Sequence, residues 1–246
     1  MSQNPTDFNR GAIKPVECLR EAWGLMKEQY WILLGICVVG MLVGSAFAIV
    51  LMGPMMCGIY LCMFQRMRNE RVGFDVLFKG FDYFGQSVVA TLIQMIPAVI
   101  IIVPTYLVVT VMMVAIMSSS HGGGSDAVAI GFVLIMVVFF LAILLISIVL
   151  GVFFAFTFPL IVDRKLTGVE AVRTSVRAAM ANLGGVLGLV LLTAVLSFVG
   201  VLLCYVGAFF VLPIHLAAHA IAYRRVFPDI APGVAVPPPP PASWAA

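Results

Sequence analysis

Every one of the fourteen lysines and arginines in this 246-residue chain lies in one of four short segments, and the stretches between them are apolar and mostly long enough to span a membrane. The basic segments are 10–27, 66–79, 164–177 and 224–225, and the apolar runs are 31–52, 55–65, 86–117, 127–162, 183–205 and 207–223. Crossing about 30 Å of hydrocarbon as a helix takes about 20 apolar residues. In lipid every backbone polar group must also be satisfied without water, which excludes an open sheet. Hydrophobic residues make up 63% of the chain and charged residues 10%, against about 45–50% and about 25% in soluble domains. A water-soluble fold could not cover that much apolar surface, so the chain reads as an integral membrane protein.

Loops rich in Lys and Arg stay on the cytoplasmic side of a bilayer. Two crossings between each basic segment and the next satisfy that rule, and they leave His121 and Asp126 on the far side. Run 127–162 is long enough to raise the question of two crossings. Those would export Arg164, Lys165, Arg173 and Arg177, so it is taken as one tilted or protruding helix. Run 55–65 is short, and its crossing calls for a thinned bilayer, a snorkelling Arg66 or a re-entrant path. The expected fold is therefore all-α: a polytopic membrane protein with six transmembrane helices over 13–228, a flexible N-terminus at 1–12 and a disordered tail at 229–246. Residues 1–30 lack the pattern of a cleaved secretory signal, so the first span is expected to direct its own insertion, with both termini cytoplasmic.

Each pair of spans is preceded by a segment patterned as a cytoplasmic, interfacial amphipathic helix. In the first, Val16, Leu19, Trp23, Met26 and Tyr30 form a stripe opposite Glu17, Arg20, Glu21 and Glu28. The second carries Phe74, Leu77, Phe78, Phe81 and Phe84, with Asp75 four residues before Lys79, a favourable helical spacing. The third carries Val169, Val172, Val176 and Met180 opposite Glu170, Arg173 and Arg177, and Thr167 with Glu170 reads as a capping box. Val16-Glu17 with Arg20 mirrors Val169-Glu170 with Arg173, and Pro54, Phe64 and Arg66 match Pro213, Tyr223 and Arg225 in spacing. These correspondences suggest a threefold internal repeat of amphipathic helix plus hairpin.

The apolar runs hold no Asp, Glu, Lys or Arg, which disfavours an ion-coupled transporter because such carriers place ionisable groups within the membrane. Their polar residues include Ser45, Thr91, Gln94, Thr105, Thr110, Ser147, Thr157, Thr193 and Ser197, expected to bond neighbouring helices. His215 and His219 stand four apart on one helical face, a spacing that lets two imidazoles reach one metal. They lack a clear third ligand, and interhelical hydrogen bonding is the alternative. Gly40, Gly44 and Ala48 repeat every four residues and offer a flat face for helix packing, within the chain or in a homo-oligomer. Pro54, Pro97, Pro104 and Pro213 are expected to break or bend their helices. Cys18, Cys37, Cys57, Cys62 and Cys204 have no metal-type spacing and read as buried thiols, with Cys204 alone near the far side.

Pro237 to Pro241 form a polyproline stretch, read as an inert tether or as a site for a protein partner with a Pro-binding groove. The net charge of +3 is too diffuse for nucleic acid. No cofactor and no catalytic set is expected.

In Gly53-Pro54-x-x-x-Gly58, Leu77-Phe78-x-Gly80-Phe81, 158–164 (FPLIVDR), Glu170-Ala171-x-x-x-Ser175, Asn182, Cys204-x-Val206-Gly207, Pro213 and Ala222-Tyr223-Arg224, the chain resembles a group of bacterial integral membrane proteins. That group has no known function and is related to the membrane domain attached to some glycerophosphoryl diester phosphodiesterases. The resemblance covers most of 15–227 and implies a helical multi-span fold in a bacterial inner membrane, with no assigned catalytic residue. The leading expectation is a non-enzymatic protein acting through lipid or protein contacts. Alternatives are a carrier or flippase for a lipid or small apolar molecule, marked by an internal cavity, and an intramembrane metal or haem protein built on His215 and His219.

Overall fold

A computed structural model of the chain describes residues 6–46, 50–119, 126–202 and 206–228; Ala48, His121, Cys204 and the Pro-rich tail lie outside these described residues. Among them the structure is helical and contains no strand. The helices are α1 (Pro15–Met26), α2 (Tyr30–Ala46), α3 (Met52–Met67), α4 (Phe74–Phe78), α5 (Phe84–Ser119), α6 (Asp126–Phe154), α7 (Thr157–Arg164), α8 (Gly168–Ala181), α9 (Leu183–Leu202) and α10 (Val206–Val226), with a 3₁₀ turn at Lys79–Tyr83 between α4 and α5. Three stretches are long and apolar enough to cross a membrane: Phe74–Val114, Val133–Arg164 and Leu183–Leu202. Counting α1 and α2, bent by 106° at their junction, as one span gives up to four.

Local chemistry accounts for the helix ends. Pro15 occupies the first turn of α1, where its missing N–H costs nothing. The capping box of α8 is formed: the Thr167 side chain accepts from the Glu170 N–H, and Glu170 accepts from the Thr167 N–H at 3.2 Å. The run 127–162 is not one helix, as expected from parity, but is broken at Ala155 and Phe156 between α6 and α7. Ser175 of α8 stabilises the break, accepting from the Phe156 N–H at 3.1 Å and donating to the Phe153 carbonyl at 2.8 Å. A side chain that satisfies freed backbone groups makes such an interruption tolerable.

The prolines occupy two kinds of position. Pro54 stands in the first turn of α3, after the chain has already left α2, and α3 extends over 16 residues, or about 24 Å, well beyond 55–65. Pro97 and Pro104 lie inside a continuous α5, and Pro213 lies inside a continuous α10. Within a bundle, neighbouring groups and local adjustment compensate for the one bond each proline removes.

Each amphipathic segment packs on the hairpin that precedes it in a cyclic order. The α4 corner packs on α3 and α2, α8 packs on α5, α6 and α7, and α1 packs on α10 and α9. The faces they bury take in only part of the large apolar stripes: Met26, Leu77 and Val172. On α1 the buried residues are Cys18, Ala22 and Met26, while Val16 and Trp23 are exposed. On α8 they include Ala171, Thr174, Ser175, Ala178 and Ala179, while Val169 and Met180 are exposed. Phe74, Phe78, Phe81 and Phe84 likewise remain exposed while Val76 and Leu77 are buried. Small residues let the backbones approach, and the bulky row is left for lipid.

α1 runs along α10 instead of standing free on a membrane surface. Arg225 pairs with Glu17 and Glu21 near the start of α1, and the Tyr30 hydroxyl, just past its end, donates to the Phe210 carbonyl at 2.7 Å. α2 leaves α1 at 106° and so turns away from the face of α10 along which α1 lies.

Two glycine pairs serve the packing around α3. A Cβ on Gly58 would strike the Leu77 carbonyl oxygen, and one on Gly80 would strike the Pro54 carbonyl oxygen and lie 2.5 Å from the Gly58 nitrogen. Gly40 and Gly44 are buried on α2, where added Cβ atoms would lie 3.0 Å from the Ile59 side chain and 3.3 Å from Met52. Their use is packing against α3 within the chain.

The basic segments meet at one end of the core. Arg66 donates to the Leu25 carbonyl at 2.9 Å and to Glu28 at 2.6 Å. Asp163 accepts from the Tyr223 hydroxyl at 2.7 Å and pairs with Arg224 at 2.8 Å, while Arg164 donates to the Pro228 carbonyl at 2.6 Å. Tyr223, Phe156 and Phe227 are fully buried beneath this cluster, and the Arg224 guanidinium lies 4.4 Å from the centre of the Phe64 ring.

Candidate functional site

Most polar side chains of the apolar helices are already satisfied by their own helix. The hydroxyls of Thr91, Thr110, Ser147 and Thr193 each donate to the carbonyl four residues back, at 2.8–2.9 Å, and Ser45 donates three back to Leu42. This corrects the expectation that they would join neighbouring helices. A hydroxyl bonded to its own turn needs no outside partner.

Four side-chain atoms are exceptions: Gln65 Oε1, Gln94 Nε2, Thr157 Oγ1 and His219 Nε2 are buried with no protein partner among the described residues. Of these residues Gln94 and His219 line one cavity of about 430 Å³, a volume typical of small-molecule sites. Met56 and Tyr60 of α3 and Gln94 of α5 form part of its wall. Ser147, Ile148, Gly151 and Phe154 of α6, Phe158 of α7 and Val190 and Ala194 of α9 form most of the rest. His215, Leu216 and His219 of α10 complete it. No lining residue is Asp, Glu, Lys or Arg.

The helices deliver these groups for simple reasons. His215 and His219, four residues apart, stack with ring centroids 4.7 Å apart and planes inclined by 26°. His219 is 6% exposed. Phe154 and Phe158, four residues apart on either side of the Ala155–Phe156 break, reach the same wall from α6 and α7. Gly151 contacts Val190 of α9, where an added Cβ would lie 3.5 Å from it, so the α6 wall stands close to α9.

Two further cavities are almost wholly apolar. One, of about 430 Å³, is lined by Pro97, Leu145, Ile146, Val149, Leu150, Phe153, Phe154 and Val176, and it shares Leu150 and Phe154 with the polar cavity. The other, about 470 Å³, lies between α5 and α6 from Pro104 to Met112 and from Leu134 to Ala142.

Among the described residues no three His, Cys, Asp or Glu side chains are grouped to hold a metal ion, so His215 and His219 gain no third ligand. Cys18, Cys37, Cys57 and Cys62 are buried free thiols. Cys18, outside the apolar runs, has its pKa raised chiefly by burial, which suppresses the reactive thiolate.

Sequence reasoning named His215, His219, Gln94 and Ser147 separately but did not bring them together. The signal that could have singled out Gln94 is chemical: an amide cannot satisfy both its ends on its own helix as easily as a hydroxyl can. Reasoning also missed Asp163 and Tyr223 as a buried pair, and three amides at the starts of the long helices. Gln29 accepts from the Val72 N–H at 3.0 Å, Gln86 accepts from the Gly168 N–H at 2.9 Å, and Asn182 donates to the Asn9 carbonyl at 3.0 Å. Each ties the start of one hairpin to the segment leading into an amphipathic helix.

Comparison with protein-family models, with curated proteins and with solved structures finds no match.

Proposed function

We propose that this chain is a non-enzymatic integral membrane protein that binds a lipid or small amphipathic molecule in the cavity between α3, α5, α6, α7, α9 and α10, and acts as a carrier or binding protein for it. The observation behind this reading is the pair of unpartnered buried polar atoms, Gln94 Nε2 and His219 Nε2, in one otherwise mostly apolar cavity. Buried polar groups are normally bonded, and an orphan facing a cavity points to a partner supplied from outside the chain. An internal cavity is also the feature that separates a carrier from a scaffold acting by surface contacts alone. The exposed rows of Phe74, Phe78, Phe81 and Phe84 and of Val16 and Trp23 add lipid contact around the rim.

The finer architecture in this proposal is a six-span protein of a bacterial inner membrane with cytoplasmic termini, built from three repeats and related to the phosphodiesterase-associated membrane domains. The one-sided distribution of Lys and Arg supports the topology. The cyclic packing of α1, the α4 corner and α8, together with the matching roles of Gln29, Gln86 and Asn182, supports the repeat. The relationship rests on the order of the sequence motifs from Gly53-Pro54-x-x-x-Gly58 to Ala222-Tyr223-Arg224.

Lipid extraction from the purified protein, quantified by mass spectrometry, tests the binding function. The wild type should retain a lipid-class molecule in stoichiometric amount, and Ala194→Phe, which fills the cavity, should lose it. Equal retention by a folded Ala194→Phe protein, or bulk-lipid composition in both, overturns the reading.

A further inference from the structure

We infer that the molecule held in this cavity is an uncharged amphiphile whose carbonyl oxygen accepts from the Gln94 amide, with its apolar tail lying in the adjoining apolar cavity lined by Pro97, Val149 and Val176. The inference rests on the binding reading above and adds the ligand's class.

Three observations carry it. Gln94 Nε2 is a hydrogen-bond donor only, so its missing partner is an acceptor. The wall contains no cation to neutralise an anionic group and no carboxylate to neutralise a cationic one, and an uncompensated charge in an apolar wall is strongly disfavoured. The arginines nearest along the chain are already engaged elsewhere. Arg66, six residues beyond Tyr60, binds Glu28 and the Leu25 carbonyl; Arg164, six beyond Phe158, binds the Pro228 carbonyl beside Asp163; and Arg224 and Arg225, five and six beyond His219, pair with Asp163 and with Glu17 and Glu21. Each is about 7–9 Å away along its helix. A phosphate head would therefore find no charge partner here, whereas a carbonyl would find Gln94, with His219 beside the same space.

The tail follows from the shared walls. Leu150 and Phe154 line both the polar cavity and its apolar neighbour, which continues past Pro97 and Val149. A head seated at Gln94 thus has an apolar path beside α6. Isoprenoid quinones and neutral acylglycerols share this chemistry, and the experiment separates them.

The test uses the full-length protein in nanodiscs and titrates it with decylubiquinone, dioctanoylglycerol, the matching dioctyl ether lacking carbonyls, and phosphatidylglycerol, with binding read by native mass spectrometry. At least one carbonyl probe should bind about tenfold or more tightly than the ether, the effect of one buried hydrogen bond, and Gln94→Leu should erase that difference. Which carbonyl probe wins identifies the source of the oxygen. Equal binding of dioctanoylglycerol and the ether to wild type, with no preference for the quinone, overturns the inference without needing any variant to fold. Preferential binding of phosphatidylglycerol that Ala194→Phe abolishes overturns it too while leaving the binding reading intact. Failure of every probe, unaltered by Ala194→Phe, overturns both.

Discussion

Alanine at Gly58 gives a sharp test of the packing that holds the α4 corner on α3. The added Cβ would strike the Leu77 carbonyl oxygen and come within 2.9 Å of its carbon, where ordinary contact begins at 3.4 Å. The struck atoms are backbone, so no side-chain rotation relieves them, and the corner carrying Leu77 and Gly80 must move. Overpacking of this kind costs about 1–3 kcal/mol and at times more, and two backbones in contact argue for about 3 kcal/mol. The better helix propensity of Ala recovers about 1 kcal/mol, which leaves a net loss of about 2 kcal/mol. For a chain of this length that corresponds to a melting point lowered by about 4–8 °C, on the scale set by soluble domains. Gly24→Ala on α1 is the control, because nothing lies within 4 Å of its added Cβ, and it should be neutral or stabilising by up to about 1 kcal/mol. Thermal unfolding in mild detergent, followed by fluorescence-detected size exclusion, reads both. A Gly58→Ala protein that melts with the wild type would refute the reasoning.

Three further outcomes are expected. Asp163→Ala strips Arg224 and the Tyr223 hydroxyl of their shared acceptor and leaves Arg164, 2% exposed at its side chain, beside fewer acceptors; breaking a buried pair from one side costs about 3–5 kcal/mol, so the protein should fail to survive detergent extraction, while Asp163→Asn should be milder. Ser175→Ala removes both bonds at the α6–α7 break and should cost about 1–3 kcal/mol in thermal unfolding, a loss that Ser175→Thr partly restores. The Glu170 carboxyl is held below the usual carboxylate range by the Thr167 hydroxyl and then by the Thr167 N–H. Its pKa is depressed on folding, so its contribution is complete above the unfolded value of about 4.5 and is lost as pH falls through the folded value. Melting profiles from pH 7 to pH 3 should therefore drop less in Glu170→Gln than in wild type.

The features legible in the sequence were those set by local chemistry or by lipid. Thr167 with Glu170 three residues on specifies a cap whatever surrounds it, and the helical class follows from apolar runs that must bond themselves. The close crossings were legible as motifs, since Gly53-Pro54-x-x-x-Gly58 and Leu77-Phe78-x-Gly80 are the segments that touch. What periodicity could not show is which face a helix buries. On α8 the interfacial stripe is divided: Val172 is buried together with Ala171, Ser175 and Ala178, which let the backbone of α8 approach its neighbours, while Val169 and Met180 stay exposed. A helix held by neighbours runs on through Pro97, Pro104 and Pro213, so these prolines do not end their helices. The break at Ala155–Phe156 carries no local signal, since its stabilising group, Ser175, is 19 residues away. The site itself was visible only as scattered polar residues, because the distinction between Thr91, satisfied on its own helix, and Gln94, left open to a cavity, arises in three dimensions.

Photocrosslinking in intact membranes tests the binding pocket most directly, with benzoylphenylalanine placed at Ser147 in the cavity and, as a control, at Phe140, which is 64% exposed on the same helix. The pocket predicts one discrete adduct mass at Ser147 against a spread of bulk lipid masses at Phe140. The same spread at both positions would contradict it.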